Sequence, residues 1–233
     1  MTSLPLVIIP ARGGSKGIPR KNIKLLGGRP LIAYTIDVAL ATAPPDRVIL
    51  STDDAEIAQV ARDCGLGTDY MRPASLAADT TPSRDVMLDV MDYADRRGIA
   101  YDSVVLLQPT SPFRTAGDVR RCMELYTPEI DMAVTVTAAS CNPYYDCFET
   151  SPETGWLLIS KGDGLYTRRQ DAPPAWQFNG AVYVINPLSL RSMPMGKFRR
   201  RVPVVMDRAR SIDLDTPSDW LVAEAMYNQL YKR

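Results

Sequence analysis

The sequence predicts one α/β domain whose mostly parallel central sheet is covered by helices on both faces, a three-layer arrangement. Three observations carry this expectation. Over the first 126 residues, short apolar runs of strand length alternate with segments of helical period, the rhythm of parallel strands joined by crossover helices. The runs lead into loops rich in glycine, proline or aspartate, as strands buried in such sheets do. At 233 residues and 45% hydrophobic composition, the chain suits a single sizeable core.

Leu4 to Ile9 is nearly continuous in apolar residues and ends at Pro10 and a glycine-rich loop, which predicts a strand buried on both faces. Ile32, Ile36, Ala39 and Leu40 share one helical face, stopped by Ala43-Pro44-Pro45. Val48 to Ser51 is the next strand, running into Thr52-Asp53-Asp54. Ile57, Val60, Ala61 and Cys64 then mark a helix closed by Gly65. A further stripe of Val86, Met87, Val90, Met91 and Ala94 precedes the strand Val104 to Leu107, and Val119, Cys122, Met123 and Tyr126 give the helix behind it. Met132 to Ala138, Ala181 to Ile185 and Val202 to Met206 read as strands. The last helix begins at Thr216 as N-cap, with Pro217 in its first turn and Asp219 near the third position.

Residues 140–178 break the rhythm, being rich in Pro, Tyr, Trp and charge without a helical period. Such a segment reads as an excursion from the sheet, and exposed Tyr144, Tyr145 and Trp156 favour a homodimer arm over a solvated loop. The expected organisation is a single domain over 1–233 carrying this projecting arm.

Composition excludes several chemistries. Lys plus Arg and Asp plus Glu both total 27, so no bulk field points to nucleic acid or an acidic membrane, and phosphate chemistry must come from local clustering. Histidine is absent, which removes Ser-His-Asp and Cys-His schemes and the common zinc hydrolase sites. Cys64, Cys122, Cys141 and Cys147 have neither disulfide-scaffold density nor zinc-ligand spacing, and read as reduced thiols. The start MTSLPLVIIPARGG lacks the basic opening and cleavage site of a signal peptide, and no run is long enough to span a bilayer; a cytoplasmic protein is expected.

The strongest chemical signal is PARGGSKGIPRKN, Pro10 to Asn22, directly after the first strand. Gly13, Gly14 and Gly17 permit close backbone approach, while Arg12, Lys16, Arg20 and Lys21 place four cations within ten residues. Amides and cations together neutralise a polyphosphate, and the end of such a strand is where α/β sheets bind ligands. The spacing matches neither a Walker loop nor a dinucleotide fingerprint. The second signal is Asp213 with Asp215. In an extended segment residues i and i+2 point the same way, so the two carboxylates share a face while Ile212 and Leu214 turn to the core. Facing phosphate across a cleft, they form a natural Mg²⁺ site; the alternative is a pair of acids complementing a helix dipole.

The motif ARGGSKGIPRKN closely resembles that of the acylneuraminate cytidylyltransferases, the CMP-sialic acid synthetases. The likeness continues in order through RPASLAADTTPS from Arg72, LLQPTSPFR from Leu106, RRQDAPPAWQFNGAVYVI from Arg168 and SIDLDTPSDW from Ser211. It implies the nucleotide-diphospho-sugar transferase variant of the Rossmann-like fold, a homodimer, and transfer of CMP from CTP to an acidic nine-carbon sugar with release of pyrophosphate. By the same resemblance Ala11, Arg12, Gly13, Gly14, Ser15, Lys16, Lys21 and Asn22 would bind the nucleotide, with Arg12, Lys16 and Lys21 on the triphosphate. Arg72, Thr81 and Ser83 would read cytosine and ribose. Gln108, Arg169, Gln170, Asn179 and Tyr183 would form the sugar wall, an arginine being the expected fork for a sugar carboxylate. Asp213 and Asp215 would hold the metal and are the candidates for taking the sugar's hydroxyl proton.

Gln108 stands where the wider group with this fold commonly has a metal-binding aspartate, and in this it resembles the sialate branch. Asn142-Pro143 departs from the His-Pro of many sialate members. N-acetylneuraminate is the favoured sugar, with legionaminic or pseudaminic acid as alternatives. A non-catalytic nucleotide or sugar sensor on the same fold is the competing class.

Overall fold

The computed structural model of the protein describes residues 4–231, so the first three residues of the N-terminal segment discussed above lie outside it. In chain order the elements are β1 (Pro5–Pro10), β2 (Leu25–Leu26), β3 (Arg29–Pro30), α1 (Leu31–Leu40), β4 (Val48–Ser51), α2 (Ala55–Asp63), α3 (Ser83–Arg96), β5 (Ser103–Leu106), α4 (Ala116–Leu125), β6 (Met132–Ala138), β7 (Phe148–Thr150), β8 (Leu157–Ile159), β9 (Trp176–Ile185), α5 (Pro187–Ser192), β10 (Arg201–Val205) and α6 (Pro217–Tyr231). The main sheet has six strands in the order β10-β6-β9-β5-β1-β4. All its pairings are parallel except those of β9, which runs antiparallel to both β5 and β6.

Alternation along each strand builds the three layers. In β1, Val7 and Ile9 face a core shared with Ile32 and Ile36 of α1, Ile57 of α2 and Val119 of α4. Leu6 and Ile8 face the opposite core, with Met87, Val90 and Met91 of α3 and Leu190 of α5. Each such fully buried side chain contributes about 1.5–3 kcal/mol relative to exposure. A third cluster docks α6 through Trp220 and Ala223, with Leu214 just before it, onto Ile18, Leu26, Leu31 and Phe113.

The expected strands and helices are present with bounds shifted by a few residues. Three features differ. Strand β9 extends back to Trp176, because the aromatic and polar stretch before Ala181 pairs with β6 across a register shift between Val134 and Val136. The short α5 was not predicted, although Asn186 caps it by accepting from the amides of Leu188 and Ser189 and Pro187 opens it. The excursion contains an antiparallel hairpin, β7 with β8. All four cysteines are free thiols. Among the described residues no helix is long and apolar enough to cross a membrane.

The start of α6 is the expected capping box: Thr216 Oγ1 accepts from the Asp219 amide at 3.2 Å, and Asp219 Oδ2 accepts from the Thr216 amide at 2.7 Å. Thr216→Ala should therefore lower stability by about 1 kcal/mol, read as a shifted urea midpoint with an unchanged slope.

Candidate active site

The chain leaves β1 through α1 to reach β4 on one side, while β5 lies on the other side of β1, reached through α3 on the opposite face. The loops after β1 and β5 consequently diverge and leave a crevice at the strand C-terminal edge, where sheets of this kind take ligands. A cleft of about 480 Å³ occupies that place. Its walls include Arg12, Ser15, Lys16, Gly17, Lys21 and Asn22 from the loop after β1, and Arg72, Thr81 and Ser83 from the connection between α2 and α3. Gln108 and Thr110 from the loop after β5, and the pair Asp213 and Asp215, complete it.

Three of the four loop cations reach this cleft. Arg12 and Lys16 both form ion pairs with Asp79, one to each carboxylate oxygen. Lys21 Nζ donates to the Leu214 carbonyl and lies 3.2 Å from Asp215 Oδ1. Arg20 turns away to Asp54 and Glu56 at the start of α2, so it does not line the site. Ala11 is fully buried behind the loop, its amide donating to the Ser51 carbonyl at 2.8 Å. The Gly13 amide donates to Asp53 at 2.9 Å, and a Cβ there would crowd Asp54, whereas Gly14 is surrounded by open space. Gly17 passes so close to the Asp215 carbonyl that any side chain would overlap it. The loop and the aspartate pair are thereby held face to face. Asn22 is buried and ties the loop by donating from Nδ2 to the Arg12 carbonyl at 3.0 Å.

Asp213 and Asp215 follow the alternation expected of them: Leu214 between them is fully buried, and its amide donates to the Thr110 carbonyl at 2.9 Å. Asp213 is the more enclosed. Burial pushes its carboxyl above the usual range, the neighbouring charge of Asp215 pushes the same way, and the Thr110 hydroxyl opposes them. Asp213 Oδ1 is buried without a hydrogen-bond partner. An unpartnered anionic oxygen beside a second carboxylate is the donor chemistry of a hard-cation site. Among the described residues no group of three or more His, Cys, Asp or Glu comes together.

Behind this pair lies Arg114, which is 3% exposed. It donates to Thr35 Oγ1 at 2.8 Å and to the Gln108 carbonyl, tying down the loop after β5. Burial disfavours its charge, and the carboxylates of Asp213 and Asp118 favour it. Sequence reasoning missed Arg114 and Asp79 as members of the site. Both lie inside the motifs singled out above, but only the fold reveals what they face.

Arg72, 6% exposed, is pinned at the end of β4, with Nε donating to Ser51 Oγ at 3.0 Å and Nη2 to the Ser51 carbonyl at 2.7 Å. It is thus a fixed part of the cleft lining. Thr81 and Ser83 stand at the approach to and start of α3 on the same wall.

The residues of the expected sugar wall divide. Gln108 and Tyr183 line a recess of about 210 Å³ with Phe178, Met132 and Met195, joined to the main cleft through Ser83, Leu106 and Gln108. Burial pushes the Tyr183 hydroxyl up to about 12. Asn179 instead sits behind the cleft, where Oδ1 accepts from Thr135 and the Ala181 amide and Nδ2 donates to Ser211. Arg169 and Gln170 lie on the excursion outside both cavities, and Arg169 is taken up by Asp146 and the carbonyls of Ala139 and Ser140. Asn142, near the start of the excursion, is also outside both cavities: it is buried, donates to the Pro173 carbonyl at 2.9 Å and accepts from the Tyr144 amide. Gly180, with φ of 73°, lets the chain pass between Gln108 and Asp213. A Cβ there would stand 3.0 Å from Gln108 Oε1 and 3.3 Å from Asp213 Oδ2.

The chain is similar in sequence to a CMP-N,N'-diacetyllegionaminic acid synthase from Legionella pneumophila, 32% identical over 222 residues that cover 95% of each protein. It is 39% identical over 178 residues, 76% of each chain, to a pseudaminic acid cytidylyltransferase of Campylobacter jejuni. It is also 32% identical to an N-acylneuraminate cytidylyltransferase of Streptococcus agalactiae, with 93% of this chain aligned, but spans only 52% of that protein's length. In fold it matches the structure of CMP:2-keto-3-deoxy-manno-octonic acid synthetase complexed with CTP, with a TM-score of 0.70, 21% identity, and coverage of 97% of this chain and 99% of that one. The family profile described as cytidylyltransferase matches residues 6–231, and the chain belongs to the cytidylyltransferase family.

Proposed function

We propose that this protein transfers CMP from CTP to a nonulosonic acid of the sialic acid type, releasing pyrophosphate. The observation that carries the reading is the convergence, in one cleft, of three cations from the glycine-rich loop with a carboxylate pair opposite them. Family membership supports the cytidine nucleotide, and the named activities of the relatives support the acidic sugar. N-acetylneuraminate is the sugar favoured by the motifs. The diacetylated legionaminic acid is the second reading, favoured because the likeness to the Legionella enzyme runs the full length of both chains.

In this reaction the anomeric hydroxyl of the sugar attacks the α-phosphorus of CTP and gives its proton to Asp213 or Asp215, directly or through water, as the new P–O bond forms and the bond to pyrophosphate breaks. Arg12, Lys16 and Lys21 neutralise the oxygens of the departing pyrophosphate, so most of the catalysis is positioning and electrostatic. Asn22, Arg72, Thr81 and Ser83 orient the nucleoside, while Gln108 and Tyr183 orient the sugar. Asp213 and Asp215 fit Mg²⁺ by their hard oxygen donors and by the unpartnered Oδ1 of Asp213. When bound, the ion supplies Lewis-acid neutralisation of phosphate charge.

Phe148, Trp156, Leu157, Leu158 and Leu165 of the excursion are exposed, which supports a homodimer contact through this arm. Arg169 and Gln170 would then reach sugar in the partner's site, not their own.

Pyrophosphate release with CTP, Mg²⁺ and a panel of nonulosonic acids tests the reading. Release with a single sugar identifies the substrate, and no release with any acid overturns the enzyme assignment in favour of a binding protein. Arg12→Ala should reduce kcat by about 10–100-fold with a smaller change in KM for CTP, because the guanidinium acts chiefly on charge that develops in the transition state. An unchanged kcat would remove Arg12 from the chemistry and leave it a structural cation of the loop.

A further inference from the structure

We propose that Asp79 is an internal competitor for the pyrophosphate subsite, a carboxylate latch that holds the phosphate-loop cations between turnovers and helps expel the leaving group. The inference rests on the CTP reading above and adds a residue and a role to it. Asp79 lies on the wall between α2 and α3, while Arg12 and Lys16 belong to the opposite wall after β1. Its Oδ1 engages the Arg12 guanidinium and its Oδ2 the Lys16 ammonium, so one carboxylate spans the cleft and uses both of its oxygens on the two cations. A phosphate would offer the same cations the same pair of oxygens.

The placement is informative because both walls are otherwise anchored. The loop after β1 is held by Asn22, Lys21 and the amides of Ala11 and Gly13. Arg72, at the start of the opposite wall, is fixed to Ser51 and Thr52. Asp79 is therefore not needed to keep Arg12 and Lys16 on their loop. It meets them only across the space where a polyphosphate must lie. Lys16, with 82% of its side chain exposed, has no other ion partner among the described residues, and Asp79 retains 29% exposure. Contacts of this kind are weak and exchange readily with solvent and competing anions.

A triphosphate entering the cleft brings several negative charges to the two cations and repels the carboxylate, so Asp79 must give way. When pyrophosphate is formed, the returning carboxylate competes with it for the same donors. The device lowers affinity for CTP and for pyrophosphate alike and leaves CMP, which lacks the outer phosphates, little affected. Weaker retention of pyrophosphate favours forward flux in a reaction whose product resembles half of its substrate.

Isothermal titration of the full-length protein with inorganic pyrophosphate tests the latch without turnover and without the sugar. Asp79→Asn, which keeps shape and removes charge, should bind pyrophosphate about tenfold more tightly than the unmodified protein at low salt, the expected scale for releasing two accessible ion pairs. The difference should shrink as KCl is raised, and CMP affinity should change less than twofold. Asp79→Ser should move pyrophosphate binding in the same direction, which guards against an effect peculiar to the amide. Circular dichroism accompanies both variants. Unchanged or weaker pyrophosphate binding by both variants overturns the latch and makes Asp79 a scaffold for the cations. If the unmodified protein and the variants all fail to bind pyrophosphate, the phosphate subsite itself is refuted, and the latch and the CTP reading fall together.

Discussion

Asp213→Asn is expected to reduce turnover about 10²–10³-fold, the scale for losing one element of transition-state charge stabilisation, while making the metal-free protein more stable. The two effects share one cause. Asp213 is enclosed, its Oδ1 has no hydrogen-bond partner, and Asp215 lies beside it, so its ionised form is disfavoured in the folded chain. A folded carboxyl raised above its unfolded range makes the native state bind more protons than the unfolded one. Its ionisation therefore destabilises the fold at neutral pH, and the loss is relieved as pH falls through the raised folded value. Asparagine keeps the shape and an acceptor for the Thr110 hydroxyl without that charge. Thermal unfolding in EDTA should give a higher midpoint for the variant at pH 7 and a smaller difference in acid. Pyrophosphate release at saturating Mg²⁺ reports the activity. Near-normal turnover would remove Asp213 from the reaction, and a lower midpoint would contradict the electrostatic account.

Gly17→Ala is expected to lower kcat/KM for CTP about 100-fold, with only a modest loss of stability. A Cβ at Gly17 would overlap the Asp215 carbonyl oxygen, a backbone atom, and the backbone also fixes where a Cβ sits, so neither side has a flexible chain end to move. The glycine-rich loop after β1 must separate from the aspartate segment, and displacement of about 1 Å at reacting groups costs on the order of 10²-fold. Gly17 is exposed and outside the core clusters, so the expected stability cost stays within about 1–3 kcal/mol. Gly67→Ala, at a position away from the cleft and with open space around it, is the control and should behave as the parent chain. Activity close to that of the control would mean that the approach of loop and aspartates is not needed for the chemistry.

Much of the site is legible locally. The cations and glycines of the loop after β1 sit within a dozen residues, and the i, i+2 spacing of Asp213 and Asp215 orients both away from buried Leu214 wherever the segment is extended. The capping box at Thr216 was equally readable, because its donors and acceptors are sequence neighbours. What escaped is of longer range. Asn179 sits in a motif of the expected sugar wall, yet its amide is consumed by Thr135, Ala181 and Ser211, two of them distant in sequence. Arg20 looked like a fourth phosphate ligand until the position of α2 gave it Asp54 and Glu56. The recess built from Met132, Phe178, Tyr183 and Met195 collects residues from two strands and a turn, with no linear signature.

By itself the sequence determined the layer architecture, the exclusion of histidine chemistry, the glycine-rich cationic loop after the first strand and the paired carboxylates. Each follows from periodicity, composition or short spacing, which are properties of neighbouring residues. The tertiary structure alone decided the reversed direction of β9, since a buried strand's pattern reads the same both ways. It also decided the partnership of Asp79 with Arg12 and Lys16, and the placement of Arg114 behind Asp213. These depend on which strand ends the topology brings together at the crevice between β1 and β5, and electrostatic energy depends on distance in space, which sequence separation does not specify.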